Sequence, residues 1–301
     1  MPVTVHEALR AAHGALERLP SGASDAQELV SRAIGVTRAR LLMERTRALA
    51  PEESRTLDAW LSRRLAGEPV QYITGRAAFR HLDLEVGPAV LIPRPETEGL
   101  VECVLDVLDL EAARWSAPRV LDLGTGSGAI ALAIASERPR AIVTATDASP
   151  AALALARGNA VALGLEARVT FAAGDWFGAV AADDLFEVVV ANPPYIAMGE
   201  RDALPEDVRA HEPEEALFSG ASGLEALREI VDEAPQHLVA GGLLALELAE
   251  ARAGEVAAWL DGAHDWSGVE LRDDLSGRPR VLLARREAGP AIAPRQWPED
   301  R

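Results

Sequence analysis

The 301-residue chain contains no lysine: all 30 of its basic residues are arginine. Without a lysine amine there is no Schiff-base chemistry and no P-loop lysine to grip a nucleotide. Cysteine is almost as scarce, with Cys103 alone. One thiol excludes an internal disulfide and any cysteine-rich metal site. Its place in an apolar helical pattern marks a buried structural thiol rather than a nucleophile, and no metal is expected. Positive charge is outweighed by 47 acidic residues, leaving a net charge of −17. A partner held through its phosphates needs clustered basic residues, so no direct nucleic-acid partner is expected. No apolar run approaches the roughly 20 residues that cross a bilayer, and no membrane partner is expected. The N-terminal segment lacks the basic and apolar parts of a signal peptide, so a cytoplasmic protein is expected. Asparagine and tyrosine are limited to two each, Asn159 and Asn192, Tyr72 and Tyr195.

One of each falls in a single short stretch, Asn192-Pro193-Pro194-Tyr195, which follows the run Leu185–Ala191. That run is apolar and β-branched, the pattern of a strand buried on both faces. Two prolines stop the strand because neither can donate a ladder hydrogen bond. Pro193 also drives Asn192 out of the helical region, so its amide projects from the strand's carboxyl end. An amide side chain carries one carbonyl acceptor and two N–H donors, which suits holding a planar –NH₂ group. Tyr195 adds a π face beside it. Asn-Pro is also a common turn dipeptide, and the weight of the motif comes from what lies upstream.

Residues 1–72 read as a small helical domain, with apolar residues at helical spacing through Val5, Leu9, Ala12 and Leu16 and again through Leu29, Val30 and Ile34. It is either a structural cap or a docking module. Residues 73–95 read as a linking β-hairpin, with Phe79, Leu82, Leu84 and Val86 on one side of a Gly87-Pro88 turn and Val90 and Ile92 on the other. Pro95 then opens a helix with Glu96 and Glu98 at its positive end. From residue 96 to 286 strands and helices alternate, the mark of a doubly wound, mostly parallel α/β sheet, here of seven strands.

The first strand, Val120–Leu123, runs into Gly124-Thr125-Gly126-Ser127-Gly128 and a helix from Ala129 to about Glu137. Three glycines allow a tight bend and close approach of a ligand. Their Gly-x-Gly-x-Gly spacing departs from the dinucleotide fingerprint. The second strand ends on Asp147, at an offset suited to an acid that binds ribose hydroxyls. After the third strand come Asp175 and Trp176, an acid and an indole able to meet an adenine. The fourth strand delivers Asn192. In a sheet ordered 3-2-1-4-5 the glycine loop and Asn192 face one crevice. The connection 196–222 is long enough to cover a substrate. The segment 287–301, rich in Pro and charge, is expected to be disordered.

A glycine-loop α/β cleft with an acid after strand two and Asn-Pro-Pro-Tyr after strand four resembles the class I methyltransferases that use S-adenosylmethionine. Gly75–Phe79, Leu91–Glu98, the loop Leu204–Gly223 with His211-Glu-Pro-Glu-Glu-Ala-Leu217, and Arg272–Gly277 narrow the resemblance to the peptide chain release factor glutamine methyltransferase family (HemK/PrmC). Glu247-Leu-Ala-Glu250 departs from that family's Gly-containing turn. The resemblance implies methylation of the side-chain amide nitrogen of the glutamine in the Gly-Gly-Gln motif of release factors. It makes Asn192, Pro193 and Tyr195 the catalytic residues and Asn192–Tyr195 the substrate-binding ones. Gly124–Gly128, Asp147, Asp175, Trp176 and Asn192 would hold S-adenosylmethionine. A ribosomal-protein glutamine, or a nucleic-acid amino group, is the alternative acceptor.

Overall fold

A computed structural model describes residues 3–289. The chain divides into two compact units, one running to Arg76 and including Pro205–His211, the other holding Ala77–Leu204 and Glu212 onward.

The N-terminal unit is helical. Its first helix, Val5–Leu16, starts at a capping box in which Thr4 and Glu7 satisfy each other's backbone N–H. Helices Gly22–Ala33 and Pro51–Leu65 and a short 3-10 turn, Arg38–Leu42, follow. Val5, Ala12, Leu16, Leu29, Val30 and Leu57 form the core. Inside it Arg64 Nε meets Asp25 Oδ2 at 2.7 Å, with both side chains under 10% exposed. Removing either partner would leave a buried charge unpaired, a cost of about 3–5 kcal/mol.

The second unit begins with strand β1 (Arg76–Phe79), all but its first residue, and strand β2 (Leu82–Glu85). The hairpin expected around Gly87-Pro88 therefore turns at Arg80-His81 instead, and Val90 and Ile92 are buried outside any strand. The reason is side-chain support. Arg80 takes a left-handed φ of 51°, its N–H is accepted by Glu98 at 2.8 Å, and its guanidinium binds Glu137 and Glu102. Glu98 thus braces a strained turn, beyond its favourable place at the start of helix Pro95–Leu110.

The main sheet contains β3 (Arg119–Leu123), β4 (Ile142–Asp147), β5 (Val169–Ala173), β6 (Phe186–Ala191), β7 (Leu238–Glu247), β8 (Trp266–Asp273) and β9 (Pro279–Arg286). Their order is β5-β4-β3-β6-β7-β9-β8, parallel from β5 to β7, with β9 antiparallel to both of its neighbours. This is the expected seven-stranded, mostly parallel sheet. β3 and β6 lie at its centre and are buried nearly throughout, as their apolar runs require. Helix Ala129–Glu137 is apolar on all sides and has seven buried residues, being enclosed on every face. Gly241, at φ 74°, lets β7 absorb a bulge between Leu238 and Leu243. Of the tail expected to be disordered, Pro290–Arg301 lies outside the described residues. No described helix is long and apolar enough to cross a membrane.

Candidate active site

The register of the central strands sets the geometry. Leu123 of β3 pairs with Ala191 of β6, so Gly124 and Asn192 leave adjacent strands at the same level. Between the glycine loop and the Asn192 corner lies a cleft of about 620 Å³. Gly124, Thr125, Gly126, Ser127, Asp147 and Asp175 line one part of it, with Trp176. Asn192, Pro193 and Pro194 line another, together with Pro93, Arg94 and Thr97. Of the expected site residues only Gly128 and Tyr195 fall outside the lining.

Gly124, Gly126 and Gly128 have φ values of 68°, 57° and 85°, which only glycine adopts without strain. Their surroundings differ. A Cβ on Gly126 would meet no protein atom within 4 Å, whereas one on Gly128 would lie 2.9 Å from Leu132 and 3.3 Å from Ala156. Gly126 borders open space in the cleft, and Gly128 permits helix packing. Asp147 accepts the N–H of Gly126 through Oδ2 and that of Ser149 through Oδ1, each at 2.8 Å. Carboxylate oxygens have further acceptor capacity for a hydroxyl pair. Beneath the loop, Asp122 is fully buried. Its Oδ2 accepts the Thr125 hydroxyl at 2.6 Å and the Ala131 N–H at 3.2 Å, while Oδ1 has no partner among the described residues. Burial pushes this carboxyl up to about 7, against those two hydrogen bonds and with help from the charge of Asp147.

Trp176, at φ 40°, sets its indole edge 3.5 Å from the Cβ position of Gly124. Glu229 accepts a hydrogen bond from its side chain. Asp175 is exposed at the cleft edge. Asn159, the second asparagine, is buried and structural: its Nδ2 donates to Ser127 O and Glu85 O, and its Oδ1 accepts Glu85 N–H, joining the glycine loop to β2.

Asn192 is oriented by partners that sequence reasoning missed. Its Nδ2 donates to Thr97 Oγ1 at 3.1 Å, and the Thr97 hydroxyl donates to Glu247 Oε2 at 2.7 Å. Tyr195 is held behind the corner. Its hydroxyl donates to Glu247 Oε1 at 3.4 Å, and Gly223 packs so closely that a Cβ there would lie 2.7 Å from Tyr195 O. Burial pushes the Tyr195 hydroxyl up to about 12, aided by the charge of Glu247. A glutamate within the apolar sequence run 243–248 was the available signal for Glu247, since lone acids are rarely buried without a partner. Glu212 is the other missed residue. It is buried and accepts both the Ile92 N–H at 3.3 Å and the Arg94 guanidinium at 2.6 Å, fastening one wall of the cleft.

Comparison with known proteins bears on the family and the fold. Residues 7–75 match the PrmC N-terminal domain and 101–208 the methyltransferase small domain. The release factor glutamine methyltransferase of Moorella thermoacetica is 43% identical over 284 residues, covering 92% of this chain and 98% of that one. That of Rhodospirillum rubrum is 41% identical over 270 residues, covering 90% and 81%. Among solved structures, the hMettl16 catalytic domain in complex with MAT2A 3′UTR hairpin 6 superimposes with a TM-score of 0.55 at 15% identity, covering 70% of this chain and 77% of that one. A methyltransferase from Pyrococcus furiosus gives 0.50 at 20% identity, covering 75% and 97%. At such identities these two speak for the fold alone, a class I methyltransferase fold, while the curated relatives speak for more: the chain belongs to the release factor glutamine methyltransferase family.

Proposed function

We propose that this protein transfers a methyl group from S-adenosylmethionine to the side-chain amide nitrogen of the glutamine in the Gly-Gly-Gln motif of peptide chain release factors. The observation that carries this reading is the placement of the Asn192 amide across one cleft from the glycine loop, at the ends of two paired strands. Family membership supports the substrate class, because the relatives are named for it.

The residues present fit the cofactor. The open space over Gly126, the Asp147 carboxylate and the Trp176 indole line one continuous cleft, matching a backbone approach, a hydroxyl pair and a flat ring. When bound, S-adenosylmethionine supplies an electrophilic methyl group on sulfur. An amide nitrogen is a poor nucleophile because its lone pair is shared with the carbonyl, so geometry must do most of the work. Asn192 Oδ1 and the Pro193 carbonyl are suited to accept the two N–H bonds of the substrate amide and fix its plane. Such alignment can remove up to about 7–11 kcal/mol of a bimolecular barrier. Pro93, Pro193 and Pro194 narrow the cleft with side chains that offer no hydrogen bond to water, which strengthens the remaining polar contacts. No general base is assigned: methylation leaves two N–H bonds on a positively charged nitrogen, which makes them strongly acidic, and one proton passes to water. A half-buried single thiol fits a reducing, cytoplasmic setting.

The test is incubation of the purified protein with a release factor and S-adenosylmethionine labelled on its methyl group. One label per release factor, on the Gly-Gly-Gln glutamine, is expected. Label only in a ribosomal protein or in nucleic acid would overturn the substrate, and none in any acceptor would overturn the activity.

A further inference from the structure

Glu247 and Thr97 form a polar chain behind Asn192 for which the methyl transfer described above has no direct use. Both are buried, at 1% and 4% exposure, and each comes from a different element: Thr97 from the first turn of helix Pro95–Leu110, Glu247 from the last residue of β7. The chain reads Asn192 Nδ2 to Thr97 Oγ1 at 3.1 Å, then Thr97 Oγ1 to Glu247 Oε2 at 2.7 Å, with Tyr195 Oη on the other carboxylate oxygen.

Proton counting gives this chain a direction. A hydroxyl has one hydrogen, and an ionised carboxylate only accepts. With Glu247 ionised, the Thr97 hydrogen must lie on the 2.7 Å contact, leaving Thr97 only a lone pair to offer Asn192. Asn192 must then turn its –NH₂ group toward Thr97 and its oxygen away. A flipped amide would set two oxygens 3.1 Å apart with no hydrogen between them. We infer that Glu247, acting through Thr97, is a positioning residue that locks the Asn192 amide with its oxygen facing the acceptor substrate. The inference rests on the proposed function, because only an N–H-bearing acceptor needs that oxygen.

Protonation of Glu247 reverses the chain. A carboxylic acid can donate to Thr97, freeing the Thr97 hydrogen for Asn192 Oδ1 and admitting the unproductive flip. Burial raises this carboxyl to about 7, with the charge of Glu96 adding to the rise and Thr97, Arg280 and Tyr195 opposing it. Those are the groups facing it from the 95–110 helix, from β9 and from the Asn192 corner.

The experiment compares wild type with Thr97→Val, Thr97→Ser and Glu247→Gln in the full-length protein. Activity on a Gly-Gly-Gln peptide is followed from pH 6 to 9. Thr97→Val should lower kcat at least about tenfold with S-adenosylmethionine affinity within about threefold, and Thr97→Ser should restore most of it. Wild-type kcat should fall as pH drops through about 7, whereas Glu247→Gln should be slower at pH 8 and flat across that range. Selective ¹⁵N-asparagine labelling yields two side-chain –NH₂ pairs, from Asn159 and Asn192. The Asn192 pair alone should shift in Thr97→Val, and this readout survives even if Glu247→Gln folds poorly. Wild-type kcat in Thr97→Val, or an unmoved Asn192 signal, overturns the inference while leaving the function intact. A wild type that does not methylate the peptide or the release factor sinks the function itself, and the asparagine spectra still decide the orientation.

Discussion

The Asp147 carboxylate accepts the backbone N–H of Gly126 at 2.8 Å, so the acid that ends β4 also holds the middle of the glycine loop after β3. Two walls of the cleft therefore share one group.

Asp147→Ala is expected to weaken S-adenosylmethionine binding by roughly 1.5–3 kcal/mol, the range for a hydrogen bond to a charged acceptor. Loosening of the loop should add to this. Asp147→Asn can still accept one N–H and should lose less. Calorimetry on the two variants checks the order, and unchanged affinity in Asp147→Ala would remove the residue from the cofactor site.

Asn192→Ala separates orientation from binding. The glycine loop and Asp147 are untouched, so cofactor affinity should stay within a few-fold of wild type. Turnover should fall by about 10² or more, because the substrate amide loses the acceptor that fixes its plane. The falling quantity is kcat in assays saturated with release factor. An unchanged kcat would place the methyl-transfer corner elsewhere.

Much of this site could be read from the chain because its residues come in short contiguous motifs. Gly124–Gly128 and Asn192–Tyr195 each end a buried strand, and strand patterning shows where those ends are. What sequence could not show are partners joined only by folding. Thr97 and Glu247 are 150 positions apart, and Ile92 and Glu212 are 120 apart. The misplaced hairpin has the same origin. Gly87-Pro88 is the stronger local turn signal, yet the turn forms at Arg80-His81 because Glu98, Glu102 and Glu137 converge on Arg80. Local propensity was outweighed by a tertiary cluster. The fold class survived because the alternation of strands and helices is a property of the whole segment and not of any one turn.

Asp122 makes stability depend on pH. Its folded carboxyl is raised to about 7 by burial, well above the ordinary value. A raised acid favours the folded state while protonated, so this contribution is complete below about pH 4 and is lost as pH rises through 7. Asp122→Asn stays neutral throughout. Its melting temperature should match wild type near pH 4 and exceed it at pH 8, by about 2–4 °C for each kcal/mol of burial cost removed. Thermal melts at the two pH values check the crossover; equal differences at both would mean that Asp122 does not titrate in this window.

The last prediction concerns how one glutamine is chosen among many. A glutamine side chain is small, and a pocket for it cannot identify the protein that carries it, so selection needs contacts away from the cleft. Specific protein interfaces normally bury at least about 1,000 Å² in total. The N-terminal unit has surface to offer: Leu42 and Met43 are 72% and 82% exposed, next to Arg40 and Arg45. Exposed apolar residues beside arginines are what the centre of an interface uses. Because both side chains are already in water, replacing Leu42 and Met43 by serine should leave the melting temperature within about 2 °C, the scale of a neutral surface change. Activity on intact release factor should fall several-fold through KM, with activity on a short Gly-Gly-Gln peptide unchanged. Equal activity on both substrates would move the docking surface away from this turn. Loss on both would show that the change reaches the cleft and that the unit supports catalysis instead of selecting the substrate.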